Sequence, residues 1–463
     1  MTKPEDLAAI LARVSQRHDV PHGILAGVVA PAAKSGDAGT LAGLEQKLAR
    51  RVADIRLLRG HLAEHSPDAL LAKWRQSAAT ALEAGQLSEV DRTLAQAELQ
   101  ILGGLSDLSE LSPARRIAMA ETRADRAVAS LLELSPQGGR EAARRFAEAA
   151  AIIGLADPAR SHALALRQSD AFKRLGEEYR DKSGFDSAIA HLRVLLGGLD
   201  NFDDTLAWAE TQEKLGLALA GLAGLNGETT LLDQAADCYR AALDDLRKEQ
   251  AKPLWARLQK HLGTLALQKG EASGDLTLIE EAIDALKAAK SSIDPKAEPQ
   301  SLTRIEYSLA RALAVEGERA GNVAALEGAF NGFQTVLASW TREQSPALWA
   351  DVQDRSGQVL RVMGQSYRES VVLEEAIAAF DKALEVRQAT SAPKLWALTA
   401  ANRAETSLRL AERQHDLPMA QQALAELMLI VETMRGAGFA AEAGEIQKRL
   451  AVAGQAAAAL AQR

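Results

Sequence analysis

Through the C-terminal half of the chain, apolar residues step by three and four, the spacing that keeps one face of an α-helix buried, and the pattern restarts every 47 residues. The stretch WAETQEKLG, from Trp208 to Gly216, returns as WARLQKHLG from Trp255 to Gly263, and the same step lands on Leu302, Trp349 and Trp396. Leu215, Leu262, Leu309 and Leu450 fall in one column, followed by small residues at Gly216, Gly263, Ala310, Gly357, Ala404 and Ala451. An alanine column follows at Ala235, Ala282, Ala329, Ala376 and Ala423, and four residues further on stand the bulky Tyr239, Leu286, Phe333, Phe380 and Leu427. Breaks such as GEASGD (residues 270–275) divide each unit in two, so each reads as a hairpin of helices. The small residues have a physical reason: helix axes approach within about 8 Å only where no large side chain intervenes.

This ladder resembles the tetratricopeptide repeat. Phe172, Leu175, Gly176, Tyr179, Gly184, Ala188 and Leu192 match its short form, and Trp74, Ala78, Ala81, Gly85, Val90, Leu94 and Ala97 give a second short match. The five later units are similar to the longer bacterial variant of the repeat. A step of 47 also lies in the range of HEAT repeats, and the residue ladder, rather than the period, favours the tetratricopeptide reading. The resemblance implies an all-α, right-handed solenoid of hairpins. Its expected parts are an N-terminal helical extension or cap (1–66), about three short helical pairs (67–200), five 47-residue repeats (201–436) and a C-terminal capping helix (437–463). Residues 118–149 form a weaker repeat whose first-helix register the pattern leaves open. Within residues 1–66, a helix is expected over 5–16, a Gly/Ala/Pro-rich loop over 27–39 and a helix from about 40 to 64. The basic KLARRVADIRLLRG of that last helix reads either as a docking surface or as the cap of the array.

Composition narrows the function. Of 463 residues, 47% are hydrophobic but only 4% aromatic, which suits closely packed helices better than sheets. A net charge of -8, without a clustered basic face, argues against nucleic acid as a partner. No stretch of 18 apolar residues occurs, so membrane insertion is not expected, and the single cysteine, Cys238, cannot form an intramolecular disulfide. A bacterial, cytoplasmic protein is the expectation.

Motifs for chemistry are few. HLAEH, His61 to His65, spells the H-x-x-E-H of inverzincins, in which two histidines bind zinc and a glutamate is the base; a metal-dependent hydrolase using His61, Glu64 and His65 is the enzyme alternative. Against it, the motif sits at a helix end and no third ligand is apparent, so neither metal nor cofactor is expected. His18 and His22 are equally weak as ligands. The glycine-rich GLAGLNGET (221–229) lacks the Lys-Ser/Thr of a P-loop and reads as a turn between helices. Cys238 reads as a packed thiol, the Trp column as wedges between hairpins, and Gln212, Gln259, Gln353 and Gln447 as recurrent inter-helix hydrogen bonds.

What remains is the surface of the first helices, which in such solenoids forms a groove for peptides. The resemblance places groove positions at Glu210 and Glu213, then Arg257 and Lys260, then Arg304, Tyr307 and Arg311, then Asp351, Asp354 and Arg361. A basic centre of Arg257, Lys260, Arg304 and Arg311 beside Tyr307 suits an acidic or C-terminal segment. The paired asparagines of the chaperone-binding clamp are missing. The competing expectation is that these charges simply pair across neighbouring helices. The function expected is a non-catalytic protein-protein interaction scaffold or adaptor; the alternative is a chaperone or a regulatory, sensor-like subunit docking through residues 1–66.

Overall fold

The computed structural model describes residues 4–35, 43–64, 68–105, 107–200, 204–248, 251–367 and 370–462. Among these residues there are 20 α-helices and no strand, and the chain is an all-α solenoid of helical hairpins. It divides into two compact units, Met1–Leu246 and Arg247–Arg463.

In the first unit, α1 (Pro4–His18), α2 (His22–Ser35) and α3 (Leu44–Ala63) precede four hairpins. These are α4 (Ala69–Glu83) with α5 (Leu87–Leu102), α6 (Pro113–Leu132) with α7 (Pro136–Ile153), α8 (Pro158–Tyr179) with α9 (Lys182–Gly197), and α10 (Thr205–Asn226) with α11 (Thr229–Asp245). The second unit pairs α12 (Lys252–Ser273) with α13 (Leu276–Lys290), α14 (Pro299–Ala320) with α15 (Val323–Ser339), α16 (Pro346–Tyr367) with α17 (Ser370–Leu384), and α18 (Pro393–Gln414) with α19 (Leu417–Gly436). A final helix, α20 (Ala440–Ala461), shares one apolar core with α18 and α19.

Local chemistry starts and stops these helices. Asp181, Asp275, Asn322 and Asp416 accept backbone N–H bonds at second-helix N-termini, satisfying donors that the first helical turn leaves unpaired. The hairpin turns need a left-handed residue. Gly227, Gly274 and Gly321 supply it with φ of 79°, 81° and 68°, whereas Arg180 and His415 take the same place with φ of 55° and 57°.

Packing explains the small residues. A Cβ on Gly216 would lie 2.4 Å from the Tyr239 ring, and one on Gly357 would lie 2.8 Å from Phe380. There is a second such column, unseen in the sequence. Gly176, Gly270, Gly317 and Gly364 each lie under an apolar residue of the following helix, Phe185, Ile279, Leu326 and Leu373. This changes the register of the Phe172–Leu192 match. Gly176 belongs to the second column, and the buried Ser169 holds the place that Gly216 holds later. The match therefore covers only the C-terminal half of α8, a helix of 22 residues, the same length as α10 and α12.

The N-terminal region also departs from expectation. Residues 27–35 are helical within α2, not a loop, although Pro31 lies inside the helix. Tertiary packing overrides the composition: Ile24, Leu25, Val28 and Val29 are buried. Gly23 and Gly27 let α2 meet the α4–α5 turn so closely that a Cβ on Gly27 would fall 2.0 Å from the Gly85 carbonyl oxygen. Residues 36–39 of the expected loop lie outside the described residues. The basic helix α3 directs part of its charge inward: Arg51 pairs with Glu178 of α8, and Arg174 of α8 donates to Asp54. Among the described residues no helix is long and apolar enough to cross a membrane.

Candidate functional site

The predicted groove residues lie in both units. In the first, on α10, Glu213 is 3% exposed and Glu210 is half-buried. In the second, Arg257 and Lys260 are half-buried on α12, and Arg304 is exposed on α14.

The structure brings Tyr307, Arg311, Asp351 and Asp354 together with residues that the sequence did not single out. The Tyr307 hydroxyl donates to Asp351 and accepts from Arg355 Nε at 3.0 Å. Arg355 also donates to Asp351 at 3.0 Å, and the guanidinium of Arg311 lies 5.8 Å from the Tyr307 ring centre. Arg311 itself is bound by Glu271 of α12 at 2.8 and 2.9 Å. Arg387, in the link after α17 and only 5% exposed, joins Asp351 at 2.9 Å to Asp354 at 3.0 Å and donates to Thr399 at 2.7 Å. Burial pushes the Tyr307 hydroxyl up to about 12, while the facing arginines and the Tyr307 hydrogen bond more than offset burial at Asp351 and hold its carboxyl below the usual range. These groups stitch first helices to one another and leave little charge for a ligand. Sequence columns flag Tyr307 and Asp351, but Arg387 stands in an irregular link and carries no periodic signal.

Arg361 is different. It forms no hydrogen bond or ion pair among the described residues, its Nε is buried without a partner, and it lines a cavity of about 210 Å³ with Arg409, Glu405, Arg449 and the exposed Val452. Arg449 binds Glu405 and reaches Asn402 at 2.8 Å. Arg409 donates to Glu412 at 3.0 Å, so Arg361 is the charge that this part of α16, α18 and α20 leaves without a counter-charge among the described residues. Arg409, Glu412 and Arg413 line a neighbouring depression, and Arg413 donates to the Gly364 carbonyl at 3.0 Å.

In the first unit His61 is half-buried and its Nδ1 lies 2.9 Å from Asp125 Oδ1. That bond raises the imidazole above its ordinary value, and burial raises the Asp125 carboxyl. Glu64 lines the same cavity, whereas His65 lies outside the described residues. No group of three or more metal-ligating side chains forms among the described residues. The Cys238 thiol is pushed up to about 11 by burial, as a packed thiol should be. Trp208, Trp255, Trp349 and Trp396 are half-buried in the first turns of their helices.

No family model matches the sequence, and no curated protein matches it. Among solved structures, the chain is similar to the apo form of the quorum sensor NprR from B. thuringiensis, at 13% identity and a TM-score of 0.40, over 93% of this chain and 99% of that one. It is also similar to human IFIT1, solved as a dimer with m7Gppp-AAAA, at 15% identity and a TM-score of 0.37, over 97% and 95% of the two chains. A third likeness is to a signal transduction ATPase with a tetratricopeptide repeat sensor from Pyrococcus horikoshii, at 13% identity and a TM-score of 0.39, over 88% of this chain and 65% of that one.

Proposed function

We propose that the protein is a non-catalytic interaction scaffold that holds an acidic segment of a partner protein against α16, α18 and α20 of its second unit. The observation that carries this reading is Arg361, a half-buried guanidinium without an acceptor that faces a cavity. Arg311 and Arg387 also leave Nε unpaired but are held through their other nitrogens, whereas Arg361 has no such bond among the described residues, and a buried donor left unpaired costs on the order of 1–3 kcal/mol. A carboxylate on the incoming segment supplies the missing acceptor through a charge-assisted bond. Val452, 62% exposed, adds an apolar contact beside it. The basic centre expected at Arg311 and Tyr307 contributes to holding the helices in place, because its charges already have partners.

The experiment is a fluorescence-anisotropy titration with synthetic segments rich in Asp and Glu, scored against scrambled neutral controls. Binding should weaken with salt, and Arg361→Glu with Arg409→Glu should reduce affinity tenfold or more while the helical signal is kept. Equal binding by the wild type and the double variant would remove this groove as the site.

A further inference from the structure

A cavity of the first unit is lined by polar groups that the hairpin stack leaves unused. It lies between the C-terminal end of α3 and the first helices α4, α6 and α8, and encloses about 460 Å³, within the size range of small-molecule sites. Its polar lining includes His61, Arg75, Asp125 and Arg167, and Ala120, Ala124 and Leu164 contribute apolar wall.

Asp125 is 1% exposed; one carboxylate oxygen meets His61, and the other, Oδ2, has no partner among the described residues. Arg75 is 7% exposed, its Nε is unbonded, and the Glu121 carboxylate paired with it stands at 3.6 Å. Arg167 rests 4.4 Å over the Phe146 ring and makes no hydrogen bond or ion pair among the described residues. Both arginines act through space on the Asp125 carboxylate, so the three groups share one site. At the mouth, Arg160 and Glu121 satisfy each other at 2.9 Å.

The cavity thus presents two guanidiniums short of acceptors and one carboxylate oxygen short of a donor. A simple anion satisfies the arginines but is repelled by Asp125, and a simple cation meets the opposite conflict. One molecule carrying both charges answers all three groups. We infer that this cavity binds a small amino-carboxylate, a free α-amino acid or a dipeptide, with its carboxylate on Arg75 and Arg167 and its ammonium on Asp125 Oδ2. His61 holds the other oxygen of Asp125 and so fixes the direction in which Oδ2 points. This inference is independent of the groove at Arg361, which lies in the other unit.

The test is isothermal titration of the full chain with the common amino acids, glycylglycine and alanylalanine. For any ligand that binds, its analogues lacking the amino group or the carboxylate follow, with inorganic phosphate as a further probe. The expected result is saturable binding of at least one amino-carboxylate, weakened tenfold or more by loss of either charged group. Asp125→Asn, which keeps the shape of the side chain, should lose the preference for the amino group. Arg167→Gln should lose tenfold or more in affinity if Asp125→Asn does not fold, and Arg361→Glu should leave binding unchanged. Failure of every amino-carboxylate to bind overturns the inference. So does equal affinity for phosphate or for the analogue lacking its amino group, or unchanged binding by both folded variants.

Discussion

Arg51 of α3 and Glu178 of α8, 127 residues apart in sequence, meet through two parallel hydrogen bonds of 2.7 Å, with their side chains only 3% and 1% exposed. Removing one member of such a pair leaves the other charged and buried, which costs about 3–5 kcal/mol, whereas replacing both with apolar residues of similar size is close to neutral. Glu178→Ala should therefore lower the stability of the first unit by about 3 kcal/mol or more. The double variant Arg51→Met with Glu178→Leu should recover most of the loss, as chemical denaturation would show. A double variant as unstable as the single one would mean that the pair itself, rather than the stranded charge, holds α3 on α8.

Gly216 and Tyr239 make a second test, because the Tyr239 ring occupies the space of the missing Cβ. Gly216→Ala gains helix propensity of up to about 1 kcal/mol, yet it forces the ring to move, and overpacking costs about 1–3 kcal/mol. A net loss is expected. The sequence already shows the remedy: in the last repeat Ala404 stands in the Gly216 column and Leu427 in the Tyr239 column. Tyr239→Leu in the Gly216→Ala background should restore stability, whereas Tyr239→Leu alone should reduce it by opening a cavity. The melting temperatures of the three variants decide the matter.

Arg180 ends α8 with φ 55°, where Gly227, Gly274 and Gly321 serve the equivalent turns. A side chain in that left-handed region costs roughly 1–2 kcal/mol, and glycine is freer in the unfolded chain, which returns part of the gain. Arg180→Gly should stabilise the first unit by about 0.5–1 kcal/mol on these terms. A shift of the denaturation midpoint to lower denaturant would contradict it.

His61 gives a pH dependence. Asp125 of α6 and Glu64, just beyond the end of α3, raise the imidazole above its ordinary 6.5, while burial and Arg167 of α8 oppose them. A folded-state value above the unfolded one means that the bond stabilises fully below about pH 6.5 and is lost as the pH rises through the raised value. The stability difference between the wild type and His61→Gln should thus be largest near pH 6 and shrink toward about pH 9. Thermal melts that run parallel across this range would show that the bond does not couple proton binding to folding.

How much of this was legible in the sequence depends on whether a residue's role repeats. Gly216 and Tyr239 recur as columns because every hairpin crosses its neighbour in the same way, so one packing rule is written many times. Gly176 fitted the same local pattern but belongs to the second column, since a small residue followed by a bulky one describes both crossings. Arg387 was invisible: its partner Asp351 lies 36 residues away, and nothing in an irregular link announces a buried guanidinium. Charge on a first helix did not distinguish Asp351, consumed by Tyr307, Arg355 and Arg387, from Arg361, which has no partner among the described residues. HLAEH drew notice to His61 as a zinc ligand, whereas its partner in the structure, Asp125, lies 64 residues on, in the repeat with the weakest register. Gly27 reads as a loop residue because its reason, contact with the backbone of the α4–α5 turn, is wholly tertiary.

The central claim, that an acidic segment lies against α16, α18 and α20 at Arg361, is tested most directly by amide hydrogen exchange on the full chain with and without a bound Asp/Glu-rich segment. Protection should rise in the C-terminal halves of α16 and α18 and along α20, and this change should vanish in Arg361→Glu. Protection confined to α12 and α14, or unchanged by Arg361→Glu, would contradict the account.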